Sequence, residues 1–163
     1  MTQQDFKKIF DQHFDAIRSY IYYRSGNSEL ATDIAQDTFM RLWEKQMKLE
    51  NHKVLGLLYK IAGNLFVDRY RREKLELDYK NRFEFRFKEN TPEDQLQYKE
   101  LKERYEVALV KMPEKQRTVF LMSRKDELKY HEIAERLELS VKAVEKRMKH
   151  ALAFLKDELL VSK

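Results

Sequence analysis

The stretch YHEIAERLELSVKAVEKRMKHAL, residues 130–152, places two helical patterns on either side of a very short connection. In its first part, three apolar residues recur at the spacing of one buried helix face: Ile133, Ala134 and Leu137. The connection is residues 138–140, and it ends on Ser140, a residue type that commonly caps the start of a helix. A short helix, a tight turn and a second helix predict a helix-turn-helix, whose second helix lies in the major groove of DNA.

The second helix of this pair, after Ser140, has two unlike sides. The side predicted to pack against the protein carries Val141, Val144, Met148, Leu152 and Leu155. The other side and its borders carry Lys142, Ala143, Lys146, Arg147, Lys149 and His150, and Glu145 is the one acid between Ser140 and His150. Lysine rows on amphipathic helices are mostly solvated faces. Here the turn, the cap and the scarcity of acids together favour DNA binding.

Composition predicts an all-α protein with no transmembrane segment. The 163 residues include only 3 Gly and 2 Pro, so few residues interrupt a sequence rich in helix-forming Leu, Lys, Glu and Arg. The net charge of +5 is compatible with nucleic acid as a partner. The absence of cysteine excludes disulfides and cysteine-based zinc sites. Because the first residues lack a signal-peptide pattern and no apolar run approaches about 20 residues, we expect a cytoplasmic protein.

Three further helices are predicted in the first half of the chain, over residues 3–24, 28–44 and 53–72. The first has one apolar stripe: Phe6, Phe10, Phe14, Ile17 and Ile21. The second has an apolar side and an outer side. The outer side is available to a partner, and it carries Asp33, Gln36, Asp37, Met40, Arg41 and Glu44. The third carries a polar row that includes Lys60 and Asn64, with the aromatic residues Tyr59, Phe66 and Tyr70 beside it. Residues 60–74 include five basic residues and only two acidic ones, which makes a local basic patch.

Residues 75–94 separate the two halves. Their helical period is lost and their charges are mixed, and a loop of that length is unusual inside one compact unit. We therefore expect two small helical domains, residues 1–74 and 95–163, joined by a flexible linker, with the helix-turn-helix in the second.

Three blocks of the chain resemble one family. ALVKMPEKQRTVFLMSRKDELKYHEIAERLELSVKAVEKRMKHAL, residues 108–152, is similar to the C-terminal DNA-binding region of bacterial RNA polymerase sigma factors of the extracytoplasmic-function (ECF) group. ELATDIAQDTFMRLWEK, residues 29–45, and LYKIAGNLFVDRYRREK, residues 58–74, resemble the N-terminal region of the same group. The resemblance implies a two-domain factor that binds core RNA polymerase, directs it to promoter DNA and helps open the duplex, without catalytic chemistry or a cofactor of its own.

The resemblance also implies roles for individual residues. The second helix of the helix-turn-helix would read the minus-thirty-five element through Ser140, Lys142, Ala143, Lys146, Arg147 and His150. The third helix and the loop before it would read the minus-ten element as partly single-stranded DNA through Asn51, His52, Lys60, Asn64, Arg69, Arg71 and Arg72. The second helix would contact polymerase through Asp33, Gln36, Asp37 and Arg41. Family members are commonly inhibited by an anti-sigma protein, which is therefore an expected partner.

Three positions depart from the family pattern. Glu138 stands in the turn where glycine is usual, Ala143 stands where threonine is common, and Leu57 lies where a tryptophan is often found. The alternatives to a sigma factor are a DNA-binding regulator that never contacts polymerase and an all-helical adaptor that binds only proteins. An enzyme is the least favoured interpretation. No H-E-x-x-H motif or glycine-rich phosphate loop occurs, and the four histidines are scattered along the chain: His13, His52, His131 and His150.

Overall fold

The computed structural model describes residues 1–46, 51–80 and 96–161. Across those ranges the chain forms seven helices and no strand, which confirms the all-α prediction. The helices are α1 (Gln3–Ser25), α2 (Ser28–Lys45), α3 (Asn51–Lys80), α4 (Leu96–Lys111), α5 (Glu114–Arg124), α6 (Tyr130–Leu137) and α7 (Val141–Val161).

Local signals set the ends of the first two helices. Thr2 caps α1, because its hydroxyl accepts a hydrogen bond from the Asp5 backbone N–H at 3.1 Å. Gly26 ends α1 in the left-handed conformation with φ 68°, which glycine adopts without steric cost. Asn27 then caps α2 through a 3.1 Å hydrogen bond from the Leu30 N–H. The chain thus reverses direction within a few residues, and α2 packs back on α1.

Helices α1 to α3 enclose the core of the first half. The predicted inner face of α2 is fully buried: Ala31, Ile34, Ala35, Thr38 and Leu42. Phe39, which is also buried, lies among the half-buried rings of Phe6, Phe10 and Phe14, with ring centroids 5.1 to 6.5 Å apart. These aromatic pairs fix α1 against α2.

Helices α4 to α7 form the second half, and the buried stripe of α7 differs from the prediction. Val141 and Leu152 were expected on the packed side, but they are 41% and 42% exposed. The buried residues of α7 are Val144, Met148, Ala151 and Leu155. These residues are four, three and four positions apart, and their mean spacing is closer to the 3.6 residues of a helical turn than that of the predicted residues.

The bounds of α3 also differ from the prediction. The helix continues to Lys80 and so includes the first six residues of the expected linker, 75–80. It begins at Asn51, so Asn51 and His52 lie in its first turn and not in a loop. Residues 47–50 and 81–95 lie outside the described residues, and the division into domains stays a prediction.

One arginine joins the two halves. Arg117 of α5 is 4% exposed, and it donates hydrogen bonds to the backbone oxygens of Tyr23 and Arg24 in α1, both at 2.7 Å. It also donates to the backbone oxygens of Met112 at 2.9 Å and Leu109 at 3.2 Å. The last carbonyls of a helix lack partners within the helix, and they carry its partial negative charge. Arg117 therefore satisfies the ends of α1 and α4 together.

Arg117 keeps its charge despite its burial. Burial lowers the pKa of its guanidinium to about 10, and the nearby Glu114 carboxylate opposes that change. The side chain is therefore protonated at neutral pH, where the four carbonyl oxygens replace its hydration.

We predict that Arg117→Met lowers the free energy of unfolding by about 3 kcal/mol, because it leaves buried carbonyl oxygens without donors. Urea denaturation followed by circular dichroism measures the loss. Lys115→Met, at an exposed position of the same helix, is the matched control and should change stability by less than about 0.5 kcal/mol. Equal unfolding midpoints for the two variants would contradict the assigned role of Arg117.

Candidate DNA and polymerase interfaces

The helix-turn-helix has the predicted bounds, with α6 ending at Leu137 and α7 beginning at Val141. Glu138 adopts the left-handed conformation, φ 55° and ψ 46°, as expected for a residue in the place of a turn glycine. The Leu139 N–H bonds back to the Ala134 oxygen at 2.9 Å and closes the end of α6. Ser140 caps α7, since its hydroxyl oxygen accepts from the Ala143 N–H at 3.0 Å. Buried Ile133 and Val144 help fix the angle between the two helices.

The outer side of α7 presents a cationic row. Ser140, Lys142, Lys146 and His150 are exposed, and Ala143 and Arg147 are half-exposed at the borders of the row. Lys149 is exposed as well. The predicted minus-thirty-five residues therefore lie on one accessible side of a single helix.

Val141 is exposed at the start of α7, although the sequence predicted it on the packed side. It is the first residue of α7, and its 41% exposure leaves an apolar group accessible at that end of the helix. Its spacing gave no signal of this exposure, because Val141 stands three residues before Val144 and so follows the period of the buried stripe. Apolar side chains at such positions contact the methyl group of thymine.

The predicted minus-ten residues of α3 are only partly accessible. Lys60, Asn64, Arg71 and Arg72 are exposed, and Arg69 is half-buried. Of the aromatic residues beside them, Tyr59 and Phe66 are covered, at 2% and 3% exposure, and Tyr70 is half-buried. The side chains of Asn51 and His52 are not among those described.

Tyr59 lies between an aromatic ring of its own half and an arginine of the other half. Its ring centroid is 4.9 Å from that of Tyr20. On the C-terminal side, the Arg136 guanidinium lies 5.9 Å from the same centroid and donates a long, 3.5 Å hydrogen bond to the Tyr59 hydroxyl. Burial raises the pKa of Tyr59 to about 12, although Arg136 opposes that rise. The Tyr59 hydroxyl is therefore neutral throughout the physiological range.

A cleft of about 210 Å³ separates α3 from the end of α6. One wall is formed by the first half of the chain and includes Lys60, Gly63 and Asn64, and the other is formed by Arg136, Leu137 and Glu138. Gly63 permits the close approach of α1 to α3, because a Cβ atom there would lie 3.2 Å from the Tyr20 hydroxyl. The polar row of α3 thus faces the first helix of the helix-turn-helix.

The outer face of α2 is accessible and acidic. Asp33, Gln36, Asp37 and Arg41 are all exposed, as predicted, and Met40 among them is 58% exposed. The face adjoins the basic end of α3, since Asp33 Oδ2 lies 3.9 Å from Arg69 Nη2. Asp37, Arg69 and Arg72 also line one cavity of about 320 Å³ between α2 and α3. The polymerase and minus-ten residue sets, predicted as separate, therefore meet at this edge.

The chain matches two family models, sigma-70 region 2 over residues 9–76 and sigma-70 region 4 over residues 102–155. The ECF RNA polymerase sigma factor SigW of Bacillus subtilis is 32% identical to the chain over 133 residues, which cover 74% of this chain and 70% of SigW. The chain belongs to the ECF family of RNA polymerase sigma factors. It directs core RNA polymerase to promoters, and the sigma factor resemblance is confirmed. The region 2 match also accounts for the N-terminal half, which a regulator without polymerase contact leaves unexplained.

Solved structures confirm the fold of this ECF sigma factor. The sigma factor RpoE of Bartonella quintana, co-crystallised with the anti-sigma factor NepR, superimposes with a TM-score of 0.66 at 19% identity, covering 98% of this chain and 99% of that one. CnrH in complex with the cytosolic domain of CnrY gives a TM-score of 0.64 at 23% identity, covering 99% and 92%. Sigma factors are transcription initiation factors without catalytic activity. Over the described residues, no helix is long and apolar enough to cross a membrane.

We predict that Glu138→Gly raises the free energy of unfolding of this sigma factor by about 1 kcal/mol, because glycine relieves the left-handed backbone at the turn. The same substitution at exposed Glu135, inside α6, should lower it by about 1 kcal/mol. Thermal unfolding of both variants measures the two changes in the free energy of unfolding, which should have opposite signs. Destabilisation by both would show that Glu138 makes contacts that outweigh its backbone cost.

Proposed function

We propose that this sigma factor binds core polymerase through the outer face of α2, reads the minus-ten element with α3 and reads the minus-thirty-five element with the outer side of α7. It works in the bacterial cytoplasm and contributes no catalytic chemistry and no cofactor of its own. The division of charge carries the proposal, because acids are concentrated on α2 while α7 and the polar row of α3 are cationic.

The geometry of α7 suits the major groove. A helix is about 10 to 12 Å across and enters a groove about 12 Å wide when its other side is packed on the protein. Lys146 and Arg147 lie at the middle of the cationic row, where they donate to guanine edges or phosphates. Val141 and Ala143, near the start of the helix, supply apolar contacts to thymine methyl groups.

The exposed residues of α3 suit single-stranded DNA. Single-strand binding combines cationic groups along the backbone with surfaces on which bases stack. Lys60, Arg71 and Arg72 supply charge, and Asn64 supplies both a donor and an acceptor for base edges. Asn51 and His52 remain candidates to hold a flipped base, an event that costs a few kcal/mol and requires compensating contacts.

The acidic face of α2 suits a protein partner. Carboxylates repel the phosphates of DNA, so Asp33 and Asp37 favour a basic protein surface. Exposed Met40 adds an adaptable apolar contact at the centre of the face. Core polymerase is the partner that this face serves in a sigma factor.

We also propose an anti-sigma protein as a partner. The related fold of the Bartonella quintana sigma factor RpoE is found in complex with the anti-sigma factor NepR. The accessible α2 face is the surface on which such an inhibitor would compete with polymerase.

Paired variants test the assignment of the surfaces. We predict that Asp33→Asn with Asp37→Asn weakens core polymerase binding at least about tenfold and leaves binding to minus-thirty-five duplex DNA unchanged, because only the protein interface loses charge. Lys146→Ala with Arg147→Ala should leave core polymerase binding unchanged. It should weaken duplex binding at least about tenfold and reduce the log-log salt slope by about 2.

The duplex for these measurements is taken from a promoter fragment that supports initiation. Transcription in vitro with this chain and purified core polymerase on a pool of promoter fragments identifies that fragment. Fluorescence anisotropy then gives the two affinities for each variant. Lys7→Ala with Asp11→Ala removes an exposed ion pair on α1 that belongs to none of the three residue sets; it is the control and should change neither affinity. Loss of both affinities in either double variant, or of neither, would contradict the division of roles.

A further inference from the structure

The cleft between α3 and α6 carries an excess of positive charge. Three cationic side chains line it, and they come from three helices: Arg24 of α1, Lys60 of α3 and Arg136 of α6. Arg24 is already paired with Glu114, so Lys60 and Arg136 are the two cations open to a ligand. Among the described residues that line the cleft, Glu138 is the one acid. Clefts lined mainly by one sign of charge concentrate ions of the opposite sign.

Arg136 has unused hydrogen-bonding capacity in this cleft. A guanidinium carries five N–H donors. Within the described parts of the chain, its guanidinium makes one hydrogen bond, the 3.5 Å contact with the Tyr59 hydroxyl, and no carboxylate lies within ion-pair distance. The side chain is half-buried, so water reaches only part of it. Such a guanidinium suits a ligand that presents two oxygens side by side, as a phosphate does.

The titratable neighbours of Arg136 do not neutralise it. Burial lowers the pKa of the half-buried His13 imidazole, and the positive charge of Arg136 lowers it further, so His13 is neutral at pH 7. Burial raises the pKa of the Asp126 carboxyl, and Tyr23 and Arg136 oppose that rise. Asp126 Oδ1 accepts a 2.6 Å hydrogen bond from the Tyr23 hydroxyl and not from Arg136. Arg136 is therefore left without a close counter-ion.

The opposite wall of the cleft supplies a second cation and an amide. Lys60 and Asn64 are four residues apart on α3, so they lie on one side of that helix. Both are exposed, and among the described residues Lys60 has no ion-pair partner. The Asn64 amide offers two N–H donors to an oxygen. Gly63, which also lines the cleft, has no side chain to fill the space between the walls.

The volume of the cleft, about 210 Å³, limits the size of its ligand. Pockets that bury whole drug-sized molecules usually measure about 300 to 1,000 Å³. The space therefore suits one or two phosphate groups, either free or at the end of a larger molecule that extends into solvent.

We propose that this cleft is a binding site for a small phosphate-bearing anion, which Arg136 and Lys60 hold from opposite walls and which Asn64 contacts from the side of Lys60. A bound phosphate engages two of the α3 residues proposed to meet the minus-ten strand, so it competes with that strand. This consequence alone rests on the proposed role of α3. The activity of the factor then depends on the concentration of a phosphorylated small molecule.

Calorimetric titration of the chain with pyrophosphate, at constant ionic strength and without DNA or polymerase, tests the site. We expect one pyrophosphate to bind per chain. Lys60→Gln and Arg136→Gln should each weaken binding at least about tenfold, because each removes a charge-assisted contact. Arg124→Gln is the matched control and should leave the affinity unchanged, because Arg124 is an exposed arginine of α5 that does not line the cleft.

Glu138→Gln gives a second test, in which the affinity should rise. Removal of the carboxylate that lines the cleft should strengthen pyrophosphate binding about threefold, because a like charge no longer opposes the ligand. Glu135→Gln removes the same charge from an exposed position of α6 outside the cleft, and it should have little effect. Equal gains in the two variants would show a response to net charge alone and would contradict the site.

Titrations with inorganic phosphate and ADP distinguish the two sources of the anion. Binding of phosphate and pyrophosphate but not of ADP supports a free anion, and tighter binding of ADP supports the phosphorylated end of a larger molecule. No measurable binding of any of the three, or equal losses for Arg136→Gln and Arg124→Gln, would overturn the site. Failure of the α3 assignment is read separately, as unchanged initiation by Lys60→Ala with Asn64→Ala, and it does not alter the titration of the wild-type chain.

Discussion

A buried guanidinium connects the ends of two helices from opposite halves of this sigma factor. Arg117 donates to the last turn of α1 with two of its nitrogens and to the end of α4 with the third. Both helix ends carry partial negative charge, which is how a cation at 4% exposure is accommodated. The nearest carboxylate that influences it, Glu114, is itself paired with Arg24. The position of α5 against α1 depends on this arrangement.

Other features follow from that contact. With α5 fixed on α1, α6 lies over α3, and Arg136 reaches Tyr59. The recognition helix α7 follows α6 through the turn at Glu138, and Glu138 lines the same cleft as Lys60 and Asn64 of α3. The acidic face of α2 takes no part in these contacts between the halves, and it stays exposed.

The sequence predicted the helices well because their signals are local. The apolar period placed α1, α2, α6 and most of α7, and cap residues such as Ser140 placed the helix starts. The sequence predicted the end of α3 less well, because the apolar period is weak before Lys80. It also predicted the buried residues of α7 less well, because two sets of apolar residues fit a helical period, and Val141 and Leu152 belong to the set that is exposed. The family resemblance supplied the function, which composition and charge alone did not determine.

The contacts between the halves were not predictable in the same way. Arg117 occupies the buried side of α5, four residues before Leu121, so its burial had a local signal. Its partners are carbonyl oxygens 93 and 94 residues earlier in the chain, which no periodicity reveals. The proximity of Asp33 to Arg69 and the cover over Tyr59 depend likewise on how helices pack.

The distance between the halves tests the central claim most directly. The chain has no cysteine, so Ser28→Cys and Lys115→Cys give unique sites for spin labels at exposed positions, one beside the end of α1 and one beside Glu114. Pulsed electron paramagnetic resonance should find one short, narrowly distributed distance between these sites, because Arg117 holds α5 on the end of α1. A broad distribution of long distances would contradict the role of Arg117 in holding the two helices together.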